Sequence, residues 1–375
     1  MECRGFILLA CLFLITNVRF FRKNMKITFN FWCFFILTLI LPPVMQEGPH
    51  TISLADIRRP VEKELEQYAA MFQQTLAHED DFLGQALAHV RSRKGKMMRP
   101  LLVLLVAKDY GDVTPTSLRA AVTLELLHTA SLIHDDVVDN SDERRGQAAE
   151  HKLFGNKVAI LIGDFMLSKS LHQAALTRDM RIVDIIARLG GTLSEGEVKQ
   201  IANIRTRKSS EEAYFQIIRH KTAALFEACA QLGAIAAGAS EEGIRISERL
   251  GEIIGICFQI RDDIFDYYSD SAIGKPTAGD MAEGKLTLPA IYALSKAGAG
   301  HPAHIWAQHV KEKAASQEEI AQLIEFTKDK GGIGYAQHVM QLYREEALPL
   351  IAKFRREDIR EALTAYLDYT IGRSF

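Results

Sequence analysis

Leu126-Leu127-His128-Thr129-Ala130-Ser131-Leu132-Ile133-His134-Asp135-Asp136-Val137-Val138-Asp139, followed closely by Arg144-Arg145-Gly146, is the stretch on which the reading of this chain turns. Its apolar run at helical spacing predicts a buried helix. Three aspartates fall at i, i+1 and i+4 along it. On a helix, Asp135 and Asp139 project from one face, one turn apart, and Asp136 swings away. No lysine at helical spacing neutralises the pair, so the two carboxylates repel unless a cation sits between them. A hard divalent ion with oxygen ligands meets that need, and magnesium typically accepts one or two carboxylates plus phosphate oxygens. The arginine pair downstream suits a polyanion. Taken alone, the motif reads as well as a solvated acidic helix end. A second copy, Asp262-Asp263-Ile264-Phe265-Asp266, moves the reading towards metal.

The chain has 375 residues and a net charge of −2, which gives no reason to expect a nucleic-acid partner. Hydrophobic residues make up 48%, enough for one sizeable core, and the 10 prolines come without hairpin dipeptides, which favours helices over strands. Cys229 and Cys257 stand singly in apolar helical runs and read as buried, reduced thiols of a cytoplasmic protein. Cys3, Cys11 and Cys33 belong to a different segment, residues 1–44. There, two apolar runs separated by Arg19, Arg22, Lys23 and Lys26 each fall short of the roughly 18–20 residues that span a bilayer. Composition changes abruptly at Met45. Residues 1–44 read as an over-long gene model, with a signal-like or membrane-anchor segment as the alternative, and 45–375 as the folded domain.

From Ser53 the pattern is helical. Ser53 is the expected N-cap, with Ile57, Val61, Leu65 and Tyr68 along one face. A basic loop, Arg91 to Pro100, places Lys96 and Arg99 three apart, where both can face one anion at a helix start. Leu101 to Tyr110 is apolar throughout, and Pro115 opens the long helix that carries the first aspartates. His128 lies two turns before Asp135 on the same face. Phe154 to Ala175 and Arg181 to Ile204 follow as helices; on the second, Glu195, Glu197 and Gln200 read as solvent-facing or as support behind the site. Glu211 to Ala239 reads as one long helix in which Lys221 interrupts an apolar run and so calls for an internal anion. Glu242 to Tyr268 carries Gln259 one turn before Asp262. The glycine- and lysine-bearing stretch from Gly274 to Lys285, including Lys275, suits a lid over a diphosphate. Shorter amphipathic helices complete the chain. No Walker-type loop and no Gly-x-Gly-x-x-Gly after a strand is present, so a nucleotide is disfavoured.

Gly95-Lys96-x-x-Arg99-Pro100, Asp135-Asp136-x-x-Asp139 with Arg144-Arg145-Gly146, Lys221-Thr222, Gln259-x-x-Asp262-Asp263-x-x-Asp266 and Gly274-Lys275 occur in that order. Together they resemble the trans-isoprenyl diphosphate synthases, or polyprenyl synthetases, over roughly Ser53 to the C-terminus. Each motif is weak alone; five in sequence are specific. The resemblance implies an all-α, single-domain helical bundle of the isoprenoid synthase type with a central cavity. It also implies a homodimer, two to three Mg2+ ions, and two substrates, isopentenyl diphosphate and an allylic diphosphate. By motif, Asp135, Asp139, Asp262 and Asp266 hold metal. Arg144, Lys221, Thr222, Gln259, Lys275 and Lys285 serve the allylic diphosphate, and Lys96, Arg99, His128 and Arg145 serve isopentenyl diphosphate. Lys221, Thr222 and Gln259 are the candidate catalytic residues.

The implied chemistry is ionisation of the allylic diphosphate, attack by the isopentenyl double bond, and loss of a proton. The growing chain is expected to run along the Asp135 helix towards its N-terminus, past Ala130 and Ser131. Both are small, where short-chain family members carry aromatic side chains. That points to a long-chain enzyme of the octaprenyl or solanesyl kind serving a quinone side chain, with membrane-surface association for product release. Phe165 and Met166 are the residues that would close the tunnel deeper down. The alternatives are a short-chain farnesyl or geranylgeranyl synthase, a terpene cyclase, and a non-catalytic partner subunit or anchored scaffold.

Overall fold

The computed structural model describes residues 53–79, 81–92, 95–144, 146–205, 210–268 and 278–373. The chain divides into residues 1–51, outside that description, and a compact unit formed by 52–375. Arg145, Lys275 and the lid residues 274–277 also lie outside the described residues, as does the whole of the segment 1–44.

Among the described residues the fold is helical. Leu54–Arg58 (α1) starts at Ser53, whose side chain accepts the Asp56 N–H as the expected N-cap. Pro60 then forces a 3-10 turn, Arg59–Val61, before Glu62–Thr75 (α2), so the first predicted helix is two. Ile57, Val61, Leu65 and Tyr68 are all buried, as their spacing required. Asp81–Ser92 (α3) and Met98–Tyr110 (α4) follow. Pro115–Val138 (α5) begins at a capping box between Thr114 and Ser117 and ends at the first aspartates. Glu143–Arg144 (β1) pairs antiparallel with Gln147–Ala148 (β2), with Gly146 at φ 74°.

Glu150–Phe154 (α6) and Asn156–Leu176 (α7) come next, where one helix from Phe154 was expected. Gly155 separates them at φ 82°, a conformation in which a side chain is strained. Met180–Arg205 (α8) is continuous. The expected single helix 211–239 is instead Glu211–Ile218 (α9), a π-helical turn Arg219–Ala223, and Ala224–Ala236 (α10). Glu241–Phe265 (α11), capped by Ser240, packs along α10. Gly251 makes this packing possible, since a Cβ there would lie 2.5 Å from the Phe226 carbonyl oxygen, and Gly255 lets α11 approach the π-helical turn, where a Cβ would lie 2.5 Å from the Cα of Ala223. The chain finishes with Gly279–Ala282 (α12), Leu288–Ser295 (α13), Pro302–Lys311 (α14), Gln317–Asp329 (α15), Gly332–Ile351 (α16) and Glu357–Gly372 (α17).

The core lies where α4, α5, α10 and α11 meet, with α7 against the far side of α5. Leu101 to Ala107 on α4 are fully buried, and so are Leu124, Leu126 and Ile133 on α5. A helix hydrophobic all round must be central. The aspartate motifs therefore emerge from the rigid middle of the bundle, at the C-terminal ends of α5 and α11. Cys229 and Cys257 are free and buried, and burial pushes the Cys257 thiol up to about 12.

Candidate active site

Asp135 and Asp139 leave the last turn of α5 on one face, as i, i+4 spacing dictates. Asp136 points away, is 1% exposed, and is bound by the Arg144 guanidinium, whose Nε lies 2.9 Å from Oδ1. Arg144, expected at a substrate diphosphate, thus already balances a buried carboxylate. Burial pushes the Asp135 carboxyl up to about 6, against the pull of Lys221. Burial raises Asp139 as well, opposed first by Lys285. Both carboxylates would be relieved by a further cation, and this is the observation that makes the α5 wall fit a divalent metal.

Lys221 and Thr222 sit on the π-helical turn. A π-bulge offsets the side chains that follow it and is frequent at functional sites. Lys221 Nζ binds Glu197 Oε2 at 2.6 Å and Gln200 Oε1 at 3.3 Å. The internal anion expected for Lys221 is therefore Glu197, and Glu197 and Gln200 are not solvent-facing. Glu195 is: it is an exposed partner of Lys199. Thr222 Oγ1 donates to Gln259 Oε1 at 2.6 Å, and Gln259 Nε2 donates to Asp263 Oδ1 at 2.7 Å. Buried Tyr214 donates to the other Asp263 oxygen at 2.6 Å. The Thr222 and Gln259 dipoles are thus fixed in one chain of bonds rooted in a buried carboxyl. Burial raises Asp263 well above its ordinary value.

A cavity of about 220 Å³ opens between these elements, lined among others by Lys221, Thr222, Gln259, Asp263, Asp280, Lys285 and Lys311. Lys285 pairs with Glu283; Glu283, Asp280 and Asp139 outweigh the effect of burial and hold its ammonium above the usual range.

The α11 wall differs from expectation. Asp262 is bound by Arg373, at the end of the last helix. Asp266 is the C-cap of α11, and its carboxylate accepts the N–H groups of Gly279 at 2.9 Å and Asp280 at 3.1 Å. It organises the segment leading to Lys285. Among the described residues no three His, Cys, Asp or Glu side chains gather as a ready metal cluster.

Of the predicted isopentenyl diphosphate residues, Lys96, Arg99 and His128 are among the described residues. Arg99 lies over Phe226 and Phe258, at 5.1 and 5.9 Å from the ring centres, and Lys96 lies 5.6 Å over Tyr369. His128 is buried on α5 below them in sequence. Ala130 is 2% exposed, and Ser131 is half-buried with its hydroxyl donated to the His128 carbonyl at 2.9 Å. Phe165 stacks edge-on against His78, while Met166 is fully buried. Residues that sequence reasoning missed here are Tyr214, Asp263 and Arg373. Asp263 could have been flagged as the off-face member of its motif, matching Asp136; Tyr214 and Arg373 carry no local signal.

Residues 80–327 match the family model described as polyprenyl synthetase. An octaprenyl diphosphate synthase of Haemophilus influenzae is 31% identical over 325 residues, 86% of this chain and 98% of its own. A geranylgeranyl pyrophosphate synthase structure from Bacteroides thetaiotaomicron superposes with TM-score 0.76 at 48% identity, covering 85% of this chain and 99% of that one. A polyprenyl synthase from Caulobacter crescentus, complexed with calcium and isoprenyl diphosphate, superposes with TM-score 0.81 at 28% identity, covering 87% and 99%.

Proposed function

The chain belongs to the polyprenyl synthetase family and is a prenyltransferase, and within that family we propose that it is a long-chain trans-polyprenyl diphosphate synthase. It would condense isopentenyl diphosphate repeatedly onto an allylic diphosphate. The observation that carries the long-chain reading is the small pair Ala130 and Ser131, one turn before Asp135 on the product side of α5. The octaprenyl diphosphate synthase relative agrees with it. The geranylgeranyl pyrophosphate synthase at 48% identity, together with fully buried Met166, favours a shorter product as the second reading.

Magnesium suits the oxygen-only ligand set, with Asp135 and Asp139 as its holders on α5 and Asp262 on α11. When bound, it supplies charge neutralisation for the departing diphosphate. The chain's own residues do the rest. Lys221 and Lys285 present ammonium groups to the allylic diphosphate, and Arg144 adds a guanidinium at the rim. Lys96, Arg99, His128 and Arg145 hold isopentenyl diphosphate beside it. The Thr222 hydroxyl and Gln259 carbonyl oxygens, already oriented by Asp263, face the site of the developing allylic cation. Closure of the segment that includes Lys275 and Lys285 would keep water from that cation. The proton lost after carbon–carbon bond formation goes to the released diphosphate. No protein nucleophile is needed.

A homodimer is the proposed assembly. α7 leaves Ile160, Leu161, Leu171 and Leu176 exposed, an apolar face that a second copy would cover. Light scattering should give twice the chain mass. The central test incubates purified protein with farnesyl diphosphate, isopentenyl diphosphate and magnesium and sizes the products. Chains of octaprenyl or solanesyl length are expected; termination at geranylgeranyl length would overturn the long-chain reading. Ser131→Phe should shorten the distribution while leaving the first condensation largely unchanged.

A further inference from the structure

Arg373 lies at the end of α17, more than a hundred residues from the motif it touches. Its Nη2 is on Asp262 Oδ1, and the same nitrogen lies 3.4 Å from the Phe258 carbonyl. The guanidinium stacks 4.1 Å from the Phe258 ring centre and 5.4 Å from that of Phe265, so it is held between residues two turns apart on α11. Its backbone is fastened too. Arg261 donates from Nε at 3.0 Å and Nη2 at 2.6 Å to the Arg373 carbonyl, and the Arg373 N–H closes on Tyr369. The Arg373 side chain is 13% exposed and the Asp262 side chain 42%. A largely buried cation thus lies on the half-exposed first carboxylate of the α11 motif.

We infer that Arg373 is the resident counter-ion of Asp262 in the metal-free protein and that a divalent ion must displace it to use that carboxylate. The inference rests on the reading of Asp262 as a metal ligand. Two cations on one carboxylate repel each other strongly at a separation of a few ångströms. Arg373 therefore sets how readily the second wall accepts metal, whereas among the described residues no arginine is bound to Asp135 or Asp139. A displaced guanidinium has a place to go: Phe258 is also the ring over which Arg99 lies, and Tyr369, one turn back on α17, lies under Lys96. Arg373 can stay stacked and turn towards the isopentenyl diphosphate proposed for those two residues.

The test is Mn2+ binding to the full chain, read by the loss of the free-ion electron paramagnetic resonance signal, without substrate and without reference to turnover. Arg373→Met keeps the aliphatic stack on Phe258 and removes the charge. It should bind Mn2+ about fivefold more tightly than the wild type. Arg373→Lys keeps a charge but loses the fork, and should tighten binding about twofold; it serves if the methionine variant does not fold. In an Asp262→Asn background the gain from either variant should vanish, because the competition acts through that carboxylate. Unchanged affinity in both variants overturns the inference, as does a gain that persists in the Asp262→Asn background. If no form binds Mn2+, and Asp135→Asn makes no difference either, the metal-site reading itself falls.

Discussion

The two aspartate motifs are near-identical in sequence and unlike in structure. On α5, Asp135 and Asp139 have lysines nearby and no fixed side-chain partner at bonding distance among the hydrogen bonds and ion pairs described, and burial drives both carboxyls up. On α11, the equivalent positions are engaged: Asp262 by Arg373, Asp266 by two backbone N–H groups. The middle aspartates, Asp136 and Asp263, are the buried members of both sets, one balanced by an arginine and the other by a tyrosine and a glutamine. One wall is thus poised to take a cation, and the other is wired into the fold. A motif read as a ligand set can be, residue by residue, part ligand and part scaffold.

The largest effect that would break this comparison is on turnover. Asp135→Ala should lower kcat/KM by about a thousandfold, the scale expected when a main charge-stabilising element is lost, and leave the unfolding midpoint in urea unchanged or raised. Asp266→Ala should instead lower stability by about 1–3 kcal/mol, because two loop N–H groups lose their acceptor. Equal stability losses in the two variants would show the walls to be alike.

Next in size is Arg144→Ala. It leaves the Asp136 carboxylate buried without its cation, which costs about 3–5 kcal/mol by analogy with broken buried pairs. Urea unfolding checks this, and a stable variant that had lost only activity would return Arg144 wholly to substrate binding.

The smallest concerns burial without lysines nearby. Glu227, on α10, is pushed up to about 7, by burial first and then by Glu248 and Glu252. Its folded value lies above its unfolded value near 4.5. Stability from this group is therefore full below about pH 4.5 and is lost as pH rises through about 7. Glu227→Gln should remove that slope, stabilising the protein at pH 8 by about 1 kcal/mol after allowance for solvent screening and by nothing near pH 5. Thermal unfolding at the two pH values measures it. A pH-independent difference would mean that desolvation does not govern this carboxyl, and would weaken the same account of Asp135.

Much of this was legible from residue order. The apolar run before Asp135 announced a central helix, Ser53 and Pro115 marked true helix starts, and the i, i+4 rule placed Asp135 with Asp139 and sent Asp136 inward. Those are local consequences of helical geometry, which a sequence carries in full. Where prediction ran two helices into one, the cause was a single residue or a packing demand. Pro60 and Gly155 break the helix locally, and the π-turn at Lys221 lies where Gly255 of another helix comes close to Ala223.

The sequence by itself determined the helical class, the positions of the two acidic motifs and the cations that accompany them, because spacing on a helix fixes which side chains share a face. Only the tertiary structure decided which of those charges stand ready and which are already matched. Glu197 reaches Lys221 from another helix, Tyr214 reaches Asp263 across 49 residues, and Arg373 reaches Asp262 across 111. The physical reason is that pairing energy depends on distance and desolvation in space, and neither is a property of neighbours along the chain.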